Sequence, residues 1–86
     1  MRDDFIRALA VMLAQEAGRP GDDADAYLAA TLIALTWSTA FLRAHAQLSE
    51  TGDIEAAKGT FLALIARGVQ GTHAALSDTP YAQVDP

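Results

Sequence analysis

A long stretch of the chain, residues 23–48, is apolar on two sides at helical spacing, and this feature most constrains how the chain can fold. Neither glycine nor proline interrupts it, so the stretch predicts one helix of about 26 residues, roughly 39 Å long. One apolar stripe consists of Leu28, Leu32, Leu35, Leu42 and Ala46, and the other of Ala30, Ile33, Trp37, Phe41, Ala44 and Leu48. A helix that is polar along only two narrow edges must be covered from two directions. We expect neighbouring helices to supply one cover and a partner the second.

A shorter helix is predicted before this stretch, over residues 4–17. Asp3 or Asp4 can accept hydrogen bonds from the amides of its first turn, and Gly18 ends it because glycine adopts a left-handed conformation at little cost. Its predicted apolar stripe consists of Phe5, Ile6, Leu9, Met12 and Leu13.

A third helix is predicted over residues 54–76, with Asp53 as its cap and residues 49–52 as the preceding turn. Residues 77–86 contain two prolines and are expected to be irregular. Short turns between the helices favour antiparallel neighbours. The sequence therefore predicts an all-α fold of three antiparallel helices in a single segment, 1–86.

The chain is short and contains no cysteine. At 86 residues it is a marginal domain by itself, and such chains need disulfides, metals or association. Without cysteines, association or a larger parent chain is the remaining means of stabilisation.

The charge pattern argues against nucleic-acid binding by this segment. The net charge is −5, and the six Lys and Arg residues are scattered along the chain. Binding to phosphates needs clustered positive charge.

A cytoplasmic location without a membrane span is expected. The apolar stretch 27–46 is interrupted by polar residues, among them Thr36, Arg43 and His45. The first four residues are partly acidic, whereas a signal peptide begins with basic residues and continues with an apolar run.

The residues that could perform chemistry form no recognisable site. His45 and His73 have neither a carboxylate nor another histidine at helical spacing, and zinc sites need three or four ligands. The aspartates at 22, 23 and 25 are interpreted as helix-capping residues, because the calcium-loop pattern is missing. We therefore predict no enzyme activity, no metal and no cofactor.

Aromatic residues of the middle helix suggest a ligand site. An apolar wall with a few polar groups is typical of small-molecule pockets. The candidate ligand-binding residues are Tyr27, Thr31, Trp37, Ser38 and Phe41. The alternative interpretation is that Trp37 and Phe41 are core or interface anchors.

The two stripes of the middle helix predict a division of roles. The stripe around Trp37 and Phe41 is expected to pack inside the protomer, and the leucine stripe is expected to face a second subunit. Glycines in the third helix offer a close approach to another helix, although they could instead make this helix fray or bend after Gly68. The predicted dimer interface consists of Leu28, Leu32, Leu35, Leu42, Leu64, Gly68 and Gly71.

The overall pattern resembles the C-terminal half of tetracycline-repressor (TetR) family regulators over roughly residues 5–76. The resemblance lies in the run 16–20 (Glu-Ala-Gly-Arg-Pro), the acidic start at Asp22 and Asp23, and the Ala/Leu-rich helix 28–35 followed by an aromatic residue. It implies that the last two helices form a four-helix bundle with a second subunit. It also implies an apolar effector pocket and DNA binding by a helix-turn-helix of the parent protein, which has no counterpart in this sequence.

Two other functions compete with this interpretation. A stand-alone helical adaptor would bind a different protein through the same faces and would not self-associate. A small enzyme would need convergent titratable groups, which the sequence does not show.

Overall fold

The computed structural model describes residues 2–82. They form helices α1 (Arg2–Glu16), α2 (Ala24–Thr51) and α3 (Ile54–Ala75), followed by a 3-10 turn, Pro80–Ala82, with no strand among them. The predicted all-α class is confirmed. Helix α2 lies in the centre, and α1 and α3 both pack against it.

The connection between α1 and α2 follows local sequence signals. Gly18 has a φ of 70°, as expected of a glycine that ends a helix. The Asp23 carboxylate accepts the amide hydrogen of Ala26 at 3.1 Å and caps α2. The capping interpretation of Asp23 therefore holds in the structure.

Helix α2 is longer than predicted, because residues 49–51 continue it instead of forming a turn. The helix ends at Gly52, whose φ is 70° and whose amide donates to Leu48 O at 2.8 Å. The Thr51 hydroxyl donates to Gln47 O and accepts from the Asp53 amide. Asp53 caps α3 through the Ala56 amide at 3.0 Å, as its position predicted.

The contact between α1 and α2 is built from small residues, which we call the alanine ladder. Each helix contributes a row spaced by four residues, the spacing at which side chains form one ridge. Alanine side chains let the two helix backbones approach closely. The ladder consists of Ile6, Ala10 and Ala14 from α1 and Ala26, Ala30 and Ala34 from α2, all buried.

The predicted stripe of α1 is only partly correct. Ile6 is buried, and Leu9 and Leu13 pack beside the ladder, whereas Phe5 and Met12 are 56% and 61% exposed. The buried row runs through the alanines, so it is rotated away from Phe5 and Met12.

The expectation that Trp37 and Phe41 pack inside the protomer is wrong. Trp37 is 55% exposed and Phe41 is 63% exposed. The buried contact between α1 and α2 runs from Ala26 to Ala34 of α2, and Trp37 and Phe41 lie beyond it along the helix. The buried residues of α2 are all alanines.

Helices α2 and α3 approach closely at Gly68. A Cβ atom added at this glycine would lie 2.8 Å from Thr36 Cβ, and closer still to the two outer atoms of that side chain. By contrast, nothing lies within 4 Å of a Cβ added at Gly59 or Gly71. Helix α3 continues through both Gly68 and Gly71 to Ala75, so it does not end at Gly68.

The segment Ser77–Ala82, which we call the strap, has no helix or strand before the 3-10 turn at residues 80–82, and it packs against the helices. Leu76 is 1% exposed and Ala82 is 5% exposed, and both belong to a small core with Ala29. Residues 83–86 lie outside the described residues.

The described helices form an open layer, with extents of 46 × 28 × 17 Å. Helix α2 is long and apolar enough to cross a membrane, although only by length and composition. A mostly buried core helix of a soluble protein and a signal sequence near the N-terminus meet the same criteria. Helices α1 and α3 pack along α2, and 28% of the residues in its apolar window are buried inside the chain.

Candidate ligand cleft and association face

An apolar cavity of about 190 Å³, which we call the cleft, lies where all three helices and the 3-10 turn meet. Aliphatic and aromatic side chains form most of its wall, as is usual for small-molecule sites. An engineered apolar cavity of about 150 Å³ holds benzene, so the cleft could accommodate a substituted single ring. It is lined by Leu13, Ala29, Ile33, Thr36, Trp37, Ile65, Val69, Thr72, His73 and Tyr81.

Most polar groups around the cleft have partners within the chain. The Thr72 hydroxyl donates to Gly68 O at 2.8 Å, and His73 Nδ1–H donates to Ala82 O at 2.7 Å. The Tyr81 hydroxyl donates to Asp23 Oδ2 at 2.9 Å. The wall therefore offers few hydrogen bonds to a ligand, which favours an apolar one.

Trp37 lies on the open side of the cleft. Its ring meets Phe61 edge-on, with centroids 5.5 Å apart and an angle of 62° between the rings. Because the indole is half exposed, it borders the cleft instead of closing it.

Of the predicted ligand-binding residues, only Trp37 lines the cleft. Trp37 also lines a shallow groove on the outer surface of α2 together with Ser38 and Phe41, so three of the five predicted residues lie side by side there. The Thr31 hydroxyl donates to Tyr27 O within the helix at 2.8 Å, and Tyr27 is 45% exposed. The structure does not gather these five residues into one site.

Several cleft residues were missed by the sequence reasoning. Ile33 follows the same stripe as Trp37, and Ile65 and Val69 lie four residues apart on one side of α3, so periodicity could have suggested them. Leu13 and Tyr81 come from opposite ends of the chain, and no local pattern links them to the cleft.

A second apolar surface lies on α2 and α3, and we call it the leucine face. Leu28, Leu35 and Leu42 are 43%, 42% and 63% exposed along one line of α2. A groove beside this line is formed by Leu32, Leu35, Thr36, Thr39, Leu64, Arg67 and Gly68. Of the residues predicted for the dimer interface, all but Gly71 therefore lie on this line or in this groove.

The described residues form no group of three His, Asp or Glu side chains that could hold a metal ion. His45 is exposed on α2 and stacks on Phe41, with centroids 6.3 Å apart, while His73 lies beside the cleft on α3. The two histidines are thus found at separate places.

The cleft and the leucine face meet at Thr36, which lines both. Its close contact with Gly68 determines how near α3 lies to α2 at this point. No family model, curated protein or solved structure matches the chain.

Proposed function

We propose that the chain is the dimerisation and effector-sensing segment of a TetR-like transcriptional regulator in the cytoplasm. Two copies associate through their leucine faces, so that α2 and α3 of each form a four-helix bundle. The cleft takes a small apolar effector. DNA binding belongs to the parent regulator and not to these residues.

The exposed leucine face is the observation that carries the proposal. A compact protein of this mass exposes roughly 4,900 Å², whereas this chain of 9.1 kDa exposes 6060 Å². The difference for the whole chain, roughly 1,200 Å², exceeds the ~800 Å² that each partner contributes to a standard interface. The radius of gyration, 14.7 Å, also exceeds the ~12 Å of a compact chain of this length. A partner of similar size would remove this excess.

The composition of the leucine face suits a second copy of the chain. Arg67 is the one charged residue that lines its groove. Interface cores are depleted of charge, and a two-fold axis brings the same patch of each subunit together. Two antiparallel α2–α3 pairs can then pack leucine against leucine.

The contact between Thr36 and Gly68 supports the sensing role. A ligand in the cleft that pushes α2 and α3 apart would act on Thr36 and therefore on the groove of the leucine face. A ligand shifts association only if it binds the two arrangements with different affinities.

Leu35→Arg tests the association. This substitution buries a charge in the proposed interface, so the sedimenting mass should fall from twice 9.1 kDa to that of one chain. Leu62→Arg is the matched control, because Leu62 is 60% exposed and lies outside the leucine face. This control should remain a dimer.

Sedimentation of the unmodified chain at micromolar concentration decides the proposal. A folded monomer would contradict it and favour the adaptor that binds a different protein. Co-sedimentation with phosphatidylcholine vesicles tests the location, because binding to the vesicles would contradict a cytoplasmic protein.

A further inference from the structure

The hydrogen bond between His73 and the strap determines where the imidazole ring carries its hydrogen. His73 Nδ1 lies 2.7 Å from Ala82 O. A backbone carbonyl only accepts hydrogen bonds, so Nδ1 must carry the hydrogen. In the neutral ring the other nitrogen, Nε2, then has a lone pair and acts as an acceptor only. The strap therefore fixes the tautomer of His73.

The second nitrogen of His73 is open to a ligand. Among the described residues Nε2 has no hydrogen-bond partner, and the His73 side chain lines the cleft. The two nitrogens lie on different sides of an imidazole ring, so the bond to the strap leaves Nε2 accessible. The cleft thus has a strong acceptor in a wall that is otherwise mostly apolar.

The other polar side chains of the wall are weaker candidates for this role. The hydroxyl hydrogens of Thr72 and Tyr81 are already donated within the chain. The Thr36 side chain lies close against the backbone of α3, and the indole of Trp37 can only donate. A hydroxyl oxygen is also a poorer acceptor than an imidazole nitrogen, so His73 is the favoured anchor for a ligand that donates.

We propose that the cleft binds a monocyclic phenol whose hydroxyl donates to His73 Nε2. This inference rests on the proposed function, since it names the chemical class of the effector of the same site. The volume of about 190 Å³ holds one substituted ring with the strap in place, and the open side beside Trp37 admits it. A buried hydroxyl without a partner is costly, so one acceptor in an apolar wall selects ligands with one donor.

Three compounds of similar size separate the hydrogen bond from the burial of the ring. The hydroxyl of 4-methylphenol donates, 4-methylanisole only accepts, and toluene does neither. Isothermal titration calorimetry at about pH 8.5, where histidine side chains are generally neutral, measures the affinity of each. We expect 4-methylphenol to bind about fivefold more tightly than either of the other two.

His73→Asn tests whether this preference belongs to His73. The amide nitrogen of asparagine takes the place of Nδ1 and can still donate to Ala82 O, whereas the acceptor at Nε2 is removed. The fivefold preference for 4-methylphenol should disappear, while the affinity for toluene should stay the same. His45→Asn is the matched control, because His45 is exposed on α2 and does not line the cleft. This control should keep the preference.

Nitrogen-15 NMR of His73 gives a readout in the unmodified chain. Before a ligand is added, Nδ1 should carry the hydrogen, as the bond to Ala82 requires. Saturation with 4-methylphenol should shift the Nε2 resonance towards that of a hydrogen-bonded nitrogen, and toluene should leave it in place. This measurement decides the question if His73→Asn does not fold, which circular dichroism and sedimentation establish.

The outcomes separate this inference from the proposed function. Equal affinity for the three compounds, or a preference for 4-methylphenol that persists in His73→Asn, would overturn the phenol site while leaving the effector cleft intact. An Nε2 resonance that saturating 4-methylphenol does not move would also overturn it. If none of the three compounds binds, the cleft fails as an effector site and the inference fails with it.

Discussion

The two sides of α2 differ in what they bury. On the α1 side, the alanine ladder is closed within the chain, and its members are at most 5% exposed. On the α3 side, large residues meet and remain partly open, with Leu35 at 42% and Trp37 at 55% exposure. Small side chains complete a close helix pair by themselves but bury little apolar area per residue. The large apolar side chains on the α3 side of α2 thus remain partly exposed in the single chain.

The most direct test of this difference is to replace an alanine of the alanine ladder with a larger residue. Ala30 has no exposed surface, so Ala30→Leu would force α1 away from α2 and should cost about 3 kcal/mol of the free energy of unfolding. Thermal melting followed by circular dichroism, at one fixed protein concentration, measures the effect.

Ala63→Leu is the control for this enlargement. Ala63 is exposed on α3, so the same added atoms should change the free energy of unfolding by less than about 0.5 kcal/mol. Equal melting of the two variants would show that the contact between α1 and α2 is loose.

The contact between α2 and α3 can be examined with a pair of glycines in one helix. Gly68→Ala should destabilise the chain by about 2 kcal/mol, because the new Cβ overlaps Thr36. Gly71→Ala should stabilise it by about 1 kcal/mol, because alanine is a better helix former and the position is open.

Urea unfolding of both variants gives the two differences. If Gly68→Ala were as stabilising as Gly71→Ala, the close approach at Thr36 would not exist in solution. The sign of the effect is therefore more informative than its size.

The sequence predicted the helices better than it predicted their buried faces. Caps and stops at Asp23, Asp53 and Gly18 are local signals, and the structure confirms them. Periodicity assigned the core to the largest residues, including Phe5 and Trp37, whereas alanines form most of it. Alanine is both a helix former and a small core residue, so a pattern of alanines does not indicate which face is buried.

The cleft was harder to predict than the helices because its wall is built by distant parts of the chain. Tyr81 bonds to Asp23 across 58 positions, and no periodic pattern links a tail residue to a helix cap. The sequence identified Trp37 as a candidate because its position depends on one helix alone. The remainder of the cleft depends on how three helices and the strap come together.

The smallest expected effect concerns the strap, which contacts Asp23 at the start of α2 and His73 near the end of α3. This effect is measured as a change of stability with pH. The hydrogen bond from Tyr81 is the main cause that lowers the pKa of Asp23, helped by the Ala26 amide and Arg19 and opposed by burial. Burial, followed by the hydrogen bond to Asp23 and its charge, raises the pKa of Tyr81. A lowered carboxyl pKa adds stability above its unfolded value, and this stability is lost as pH falls through the folded pKa. A raised phenol pKa adds stability that is lost as pH rises above the ordinary tyrosine value, about 10.

The contribution of the strap should therefore be constant near neutral pH and decline in both acid and strong alkali. Carbon-13 NMR of the Asp23 carboxyl should show a titration midpoint that moves upward in Tyr81→Phe, because the main hydrogen bond to the carboxylate is lost. The same substitution should weaken the acid dependence of thermal melting. An Asp23 midpoint that is identical in the two proteins would mean that the hydrogen bond from Tyr81 to Asp23 is not formed in solution. The strap would then have to be held by the hydrogen bond between His73 and Ala82.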